Sequence, residues 1–195
     1  SIIRADLRYE GDGPQPLLIF CHGFKGFKDW GFYHYLTESM VSRGFATLVF
    51  NFTLNGVDDD LLNFTRLDRF QQNTFSREIG ELEFVIDRAK DFLEITKIGL
   101  VGHSRGGSAV LNAGSINNSV SAIATLASIS RVRIPDEEKQ KEWREKGVVH
   151  VMNMRTNQRM PLGVDLLDDM IALEGQLEQR VRAMDKPLML SLIHI

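Results

Sequence analysis

A single cysteine, Cys21, stands in the whole chain, so no intrachain disulfide can form and no Cys-based zinc site can be built. Positive charge is also in short supply. The 23 Lys and Arg residues face 26 Asp and Glu, a net charge of −3, and no basic excess points to nucleic acid. No apolar run approaches the ~20 residues that span a bilayer. The first residues, Ser1-Ile2-Ile3-Arg4, lack the charged-then-apolar pattern of a secretory leader, which makes the cytoplasm the default compartment. They also lack an initiator Met, which reads as a fragment or a processed form. Internal repeats and low-complexity tracts are absent. What remains is 195 residues, 43% hydrophobic and 25% charged, enough apolar material for one folded domain.

The apolar material is arranged as short runs at the spacing of an α/β protein. Residues 2–9 alternate apolar and polar positions and read as a half-exposed strand. Leu17-Leu18-Ile19-Phe20-Cys21 is a continuous apolar run, the pattern of a strand covered on both faces. The segments 46–50, 98–101 and 122–127 look alike, and Pro187-Leu188-Met189-Leu190 begins a further one. Between them lie helical patterns. Phe32, Leu36 and Met40 are spaced four apart, with Gly44 following as a C-terminal cap. Phe75, Ile79, Leu82, Ile86, Ala89 and Leu93 form a stripe expected to lie on a sheet, leaving Glu78, Glu81, Glu83, Asp87 and Lys90 to water. Strands alternating with helices imply a mostly parallel sheet with helices on both faces.

The pattern breaks after Ser130. Residues 131–185 are more polar and hold no buried-strand run. Pro135 opens a charged helix at its first turn, residues 148–154 alternate, and 155–158 turn them into a hairpin. Two amphipathic helices, 164–173 and 177–184, complete the stretch. The expected organisation is a core over 1–130, a cap or lid insertion over 131–185, and the start of the next core strand over 186–195. An irregular crossover is the plainer alternative for the insertion.

The chemistry concentrates in Gly102-His103-Ser104-Arg105-Gly106, a G-x-S-x-G sequence. It follows the apolar run 98–101 and precedes a helix-compatible run, 107–113. A sharp strand-to-helix turn would hold Ser104 in an unfavourable backbone conformation and lift its hydroxyl clear of the sheet. Gly102 and Gly106 would spare collisions with neighbouring backbone. The helix N-terminus would favour a developing negative charge, and the Arg105 N–H is a natural oxyanion donor. Cys21-His22-Gly23-Phe24-Lys25-Gly26 follows another buried run. There the Phe24 N–H is the second expected donor, with Gly23 permitting the turn.

On these residues the chain resembles the α/β-hydrolases, in the branch of dienelactone-hydrolase-like and serine-aminopeptidase-like esterases. His22-Gly23-Phe24, Gly44-Phe45-Ala46, Phe50-Asn51-Phe52 and Gly102 to Gly107 carry the resemblance, which resumes at Asp185-Lys186-Pro187-Leu188. It implies that Ser104 is the nucleophile of a carboxylesterase-like enzyme (EC 3.1.1). Such an enzyme needs no metal or organic cofactor, acts on a small-molecule ester or a peptide, and has neither nucleic acid nor membrane as partner. Serine rather than aspartate at the elbow argues against dehalogenases and epoxide hydrolases. The family order of nucleophile, acid, histidine places the acid and the histidine beyond residue 195. These residues alone are therefore expected to be nearly inactive.

Alternatives stay open. A peptidase or an acyltransferase of the same fold would use the same serine, and a truncated, non-catalytic chain would use none of it. Oligomeric state is not encoded in any pattern. Among the histidines, His22 is expected to buttress the oxyanion loop and His103 to pack, with His34 and His150 in structural or surface roles. His194 falls in the last strand and is not the base. Residues 190–195 also read as translated adapter sequence, in which case the native chain ends near Met189. Lys25 and Lys28 form a basic patch too small for phosphate binding. Asp58-Asp59-Asp60 reads as a solvated loop, Trp30 as core or cleft lining, and Cys21 as inert packing.

Overall fold

The structure, a computed structural model, describes residues 2–60 and 62–192. Its centre is a six-stranded sheet. The strands are β1 (Ala5–Arg8), β2 (Gln15–Cys21), β3 (Ala46–Phe50), β4 (Ile95–His103), β5 (Val120–Leu126) and, after the two strands of a separate hairpin, β8 (Leu188–Ser191), in the spatial order β1-β3-β2-β4-β5-β8. Only β1 runs antiparallel; the rest pair in parallel. The edge position of β1 explains its half-exposed alternation, and the central strands carry the continuous apolar runs.

Alternation along β2 sorts the two faces. Leu17, Ile19 and Cys21 point into the larger core with Leu48, Phe50 and Leu100. Leu18 and Phe20 point the other way, toward Tyr33, Val49 and Val101. The larger face is covered by α3 (Phe75–Arg88), α4 (Arg105–Ile116) and α7 (Gln176–Ala183); α1 (Tyr33–Val41) covers the other. Gly44 takes φ +83° just past α1, as a chain reversal requires. α3 starts at Thr74, whose hydroxyl accepts the Arg77 N–H at 3.2 Å. A 3₁₀ turn over Ala89–Asp91 ends it.

One face of α3 departs from the sequence expectation. Glu78 does not face water: it is buried at 4% exposure beside Ile79 and Leu82. Glu81 is also largely withdrawn, accepting the backbone N–H of Thr53 at 2.7 Å. An apolar/polar pattern cannot tell a solvated carboxylate from one that has a partner inside the fold.

Residues 131–185 do not pack as one body. α5 (Glu137–Lys146), the hairpin of β6 (Val148–Asn153) and β7 (Gln158–Gly163), and α6 (Val164–Ala172) gather with α2 (Leu67–Phe70) around Phe64, Phe70, Trp143, Met160, Leu162 and Leu167. Trp143 Nε1–H donates to Leu162 O at 3.0 Å and locks α5 to the hairpin. α7 instead joins the main core through Leu177 and Val181. Pro135 lies one residue before the N-cap of α5 rather than in its first turn. Asp136 is the N-cap, its carboxylate accepting the Lys139 N–H at 3.0 Å, because an acidic oxygen can satisfy a free helix N–H and proline cannot.

Candidate active site

β4 hands over to α4 at a single residue, Ser104, which has φ 53° and ψ −118°. A left-handed φ on a non-glycine residue costs on the order of 1–3 kcal/mol and persists only where its surroundings enforce it. Here the Ser104 N–H donates to Leu126 O at 2.9 Å, and its carbonyl accepts the Gly107 N–H at 3.0 Å. The side chain is half-buried rather than enclosed. Gly102 and Gly106 make the turn possible. A Cβ on Gly102 would lie 2.6 Å from the Gly106 carbonyl carbon, and one on Gly106 would lie 2.5 Å from His22 O. Backbone therefore passes over backbone at both positions, and only glycine fits.

The 22–26 bend lies against this turn. A Cβ on Gly23 would sit 3.0 Å from both Ser104 Cβ and His103 O. The bend closes through Gly26 N–H to Gly23 O at 3.0 Å, with Lys25 at φ +58° in its third position. Phe24 lies inside it. Among the described residues, no protein acceptor takes the N–H of Phe24 or of Arg105. The strand order that places β2 beside β4 brings the two segments together, at the carboxyl ends of the strands.

His22 is buried at 4% exposure. Its Nδ1 lies 3.0 Å from Gly23 O, and its Nε2 accepts the Phe52 N–H at 3.3 Å. These contacts define a neutral ring with the proton on Nδ1, spanning the bend and the end of β3. Burial lowers its pKa to about 4, and the nearby Arg105 charge pushes the same way against the pull of the Gly23 carbonyl. His103 stacks on Trp30 at 5.6 Å between centroids and meets Phe32 edge-on. Burial lowers its pKa too. His34 pairs with Glu38 in α1, and His150 is exposed on β6. His194 and the tail positions 193–195 lie outside the described residues.

The hairpin reaches this bend. Lys25 Nζ donates to Met152 O, and Arg155 Nη2 donates back to Lys25 O, both at 3.1 Å. The Arg155 guanidinium also sits 5.4–5.8 Å from the rings of Phe27, Trp30 and Phe64. Lys28 is bound to Asp6 and Asp29. Asp58 and Asp59 pair with Arg4, and Asp60 accepts backbone N–H groups of its own loop. Among the described residues, no three His, Cys, Asp or Glu side chains converge as metal ligands would. Cys21 is fully buried, and burial holds its thiol far above the ordinary range. Among the described residues, no helix is long and apolar enough to cross a membrane.

Sequence reasoning missed the partner of Arg105. Its guanidinium meets the buried Glu78 carboxylate, Nε to Oε2, at 2.7 Å. The only signal was a lone Glu next to Ile79 in the stripe, and a stripe is blind to pairing across 27 positions.

The sheet order, the single antiparallel edge, and the strand–serine–helix turn facing a second loop define the α/β-hydrolase fold. No protein-family model and no curated protein matches the sequence. Solved structures do match in shape. Est1E from Butyrivibrio proteoclasticus, with ferulic acid bound, superposes with a TM-score of 0.75 at 22% identity, over 96% of this chain and 73% of that one. A monoacylglycerol lipase from Paleococcus ferrophilus gives 0.68 at 12% identity, over 97% and 77%. Mouse alpha/beta hydrolase domain-containing protein 10 gives 0.68 at 16%, over 98% and 85%.

Proposed function

We propose that the protein is a serine hydrolase that cleaves carboxylic esters by acyl transfer through Ser104. The observation that carries the reading is the left-handed backbone of Ser104 between β4 and α4, with the Gly23 bend packed against its Cβ. In this mechanism the Ser104 hydroxyl attacks the ester carbonyl. The carbonyl oxygen takes the negative charge between the N–H groups of Phe24 and Arg105, each worth about 3 kcal/mol of barrier. Collapse expels the alcohol, and water then releases the acid from the acyl-enzyme.

The general base and its supporting acid are assigned to chain beyond residue 195. Both nitrogens of His22 are engaged away from Ser104, and His103 is held between aromatic rings. The monoacylglycerol lipase and the metagenome-derived lipolytic enzymes among the similar structures favour ester over amide cleavage. The α5–hairpin–α6 cluster would act as the cap, because it touches the Phe24–Lys25 bend directly. The test is turnover of a short p-nitrophenyl ester by the chain carried through to its natural stop codon, and by its Ser104→Ala variant. Loss of turnover in the variant supports the reading; equal turnover in both refutes it. The 195 residues alone are expected to turn over far more slowly. The engagement of His22 and His103 equally favours a second reading, a hydrolase-fold chain that binds without turnover. Inactivity of the extended chain would support that one.

A further inference from the structure

We propose that Glu78 is a positioning residue that holds both oxyanion donors in place through the side chain of Arg105. The inference rests on Ser104 being the nucleophile. Burying an ion pair is rarely the most stabilising solution, since apolar residues of similar volume fill such a site at equal or lower cost. Its presence on the residue that follows a strained serine calls for a reason other than stability.

The geometry supplies one. Both side chains are almost fully withdrawn, at 7% and 6% exposure. Glu78 Oε2 accepts from Arg105 Nε at 2.7 Å, and Oε1 accepts from Asn73 Nδ2 at 2.7 Å, so the carboxylate is held from two directions. The guanidinium carbon lies over the Phe75 ring, 3.9 Å from its centroid, and 5.6 Å from that of Phe24. Among the described residues, Arg105 Nη2 is buried without a hydrogen-bond partner, so Glu78 is the sole carboxylate that anchors the group. Phe24 is further braced by Phe70, with centroids 5.5 Å apart.

One ion pair therefore adjoins both residues that carry the proposed donors. The N–H of Arg105 belongs to the anchored residue itself, and the N–H of Phe24 belongs to the residue whose ring rests near the anchored cation. A donor misplaced by a fraction of an ångström loses much of its effect on a developing charge while leaving ground-state binding nearly intact. Removing the carboxylate should then lower kcat and leave KM in place.

The experiment compares wild type, Glu78→Gln, Arg105→Met and the double variant in the full natural chain. Arg105→Met keeps the backbone donor and deletes only the guanidinium. The readouts are kcat and KM on a p-nitrophenyl ester, the rate of Ser104 phosphonylation by a fluorophosphonate, and the thermal midpoint. Glu78→Gln is expected to lower kcat and the phosphonylation rate about 10- to 100-fold with KM unchanged. It should also lower the midpoint, because it strands a buried cation. The double variant should recover the midpoint but not kcat. Recovery of kcat together with the midpoint would make the pair merely structural and overturn the proposal. So would an unchanged kcat in Glu78→Gln. A wild type that neither turns over ester nor labels at Ser104 would instead remove the nucleophile reading and this inference with it.

Discussion

At Ser104 a backbone cost on the order of 1–3 kcal/mol is met by its neighbours rather than relieved by a glycine. The residues that allow this have no spare room. Gly106→Ala is expected to destabilise the protein by about 1–3 kcal/mol or more, because the new methyl would meet His22 O at 2.5 Å; urea unfolding of the two proteins checks it. His22 provides a pH signature. Its folded pKa is about 4 against an ordinary 6.5, with burial as the main cause. Above pH 6.5 both states are neutral and stability is complete. As pH falls from 6.5 toward 4 the unfolded chain takes up a proton that the folded one refuses, and stability drops by roughly 2–3 kcal/mol. His22→Gln is expected to flatten that fall. The comparison with wild type across the pH series separates it from the same-signed contribution of His103. The left-handed turn at Ser104 and the close backbone approaches at Gly102 and Gly106 were legible because each is a local backbone requirement written within five residues. The pairing of Glu78 was not, because its partner sits on another helix.

Among the elements, α4 begins directly after Ser104, α3 meets it through the Glu78–Arg105 pair, and the hairpin of β6 and β7 contacts the 22–26 bend. They are held by different means. α3 and α4 share the main core with β2 and β4, whereas α5, α6 and the hairpin depend on a satellite cluster centred on Trp143, Met160 and Leu167. Trp143→Ala removes a large buried ring and its hydrogen bond to Leu162 O, at an expected cost of about 3–5 kcal/mol. The loss should stay local: amide hydrogen exchange is expected to speed up over 137–163 while β2 and β4 remain protected. Uniform acceleration would mean that the two clusters unfold as one. The central strands were recognisable from their apolar runs and α1 and α3 from their stripes, whereas the four-residue α2 carries no such pattern. The split of 131–185 was not, because α6 and α7 carry similar amphipathic patterns and only their neighbours differ.

Over the whole molecule the sheet is covered unevenly. On the α1 side, Leu18, Val101, Ala122, Ala124 and Met189 border an open apolar depression of about 310 Å³. Met189 and Leu190 are more than half exposed on the edge strand β8. A net charge of only −3 gives little repulsion to oppose contact between such surfaces. These 195 residues are expected to self-associate increasingly as pH is lowered toward the isoelectric point near 6.0, and Met189→Lys to reduce it; light scattering against pH checks both. By itself the sequence determined the alternation of strands and helices, the parallel sheet and the serine turn. These follow from side-chain periodicity and from backbone conformations that only certain residues tolerate, and both are short-range. Tertiary structure alone decided that β2 lies beside β4, that α7 joins the core, and that a carboxylate on α3 meets the guanidinium next to Ser104. Those outcomes depend on which surfaces exclude water together, and that is settled only when distant segments pack.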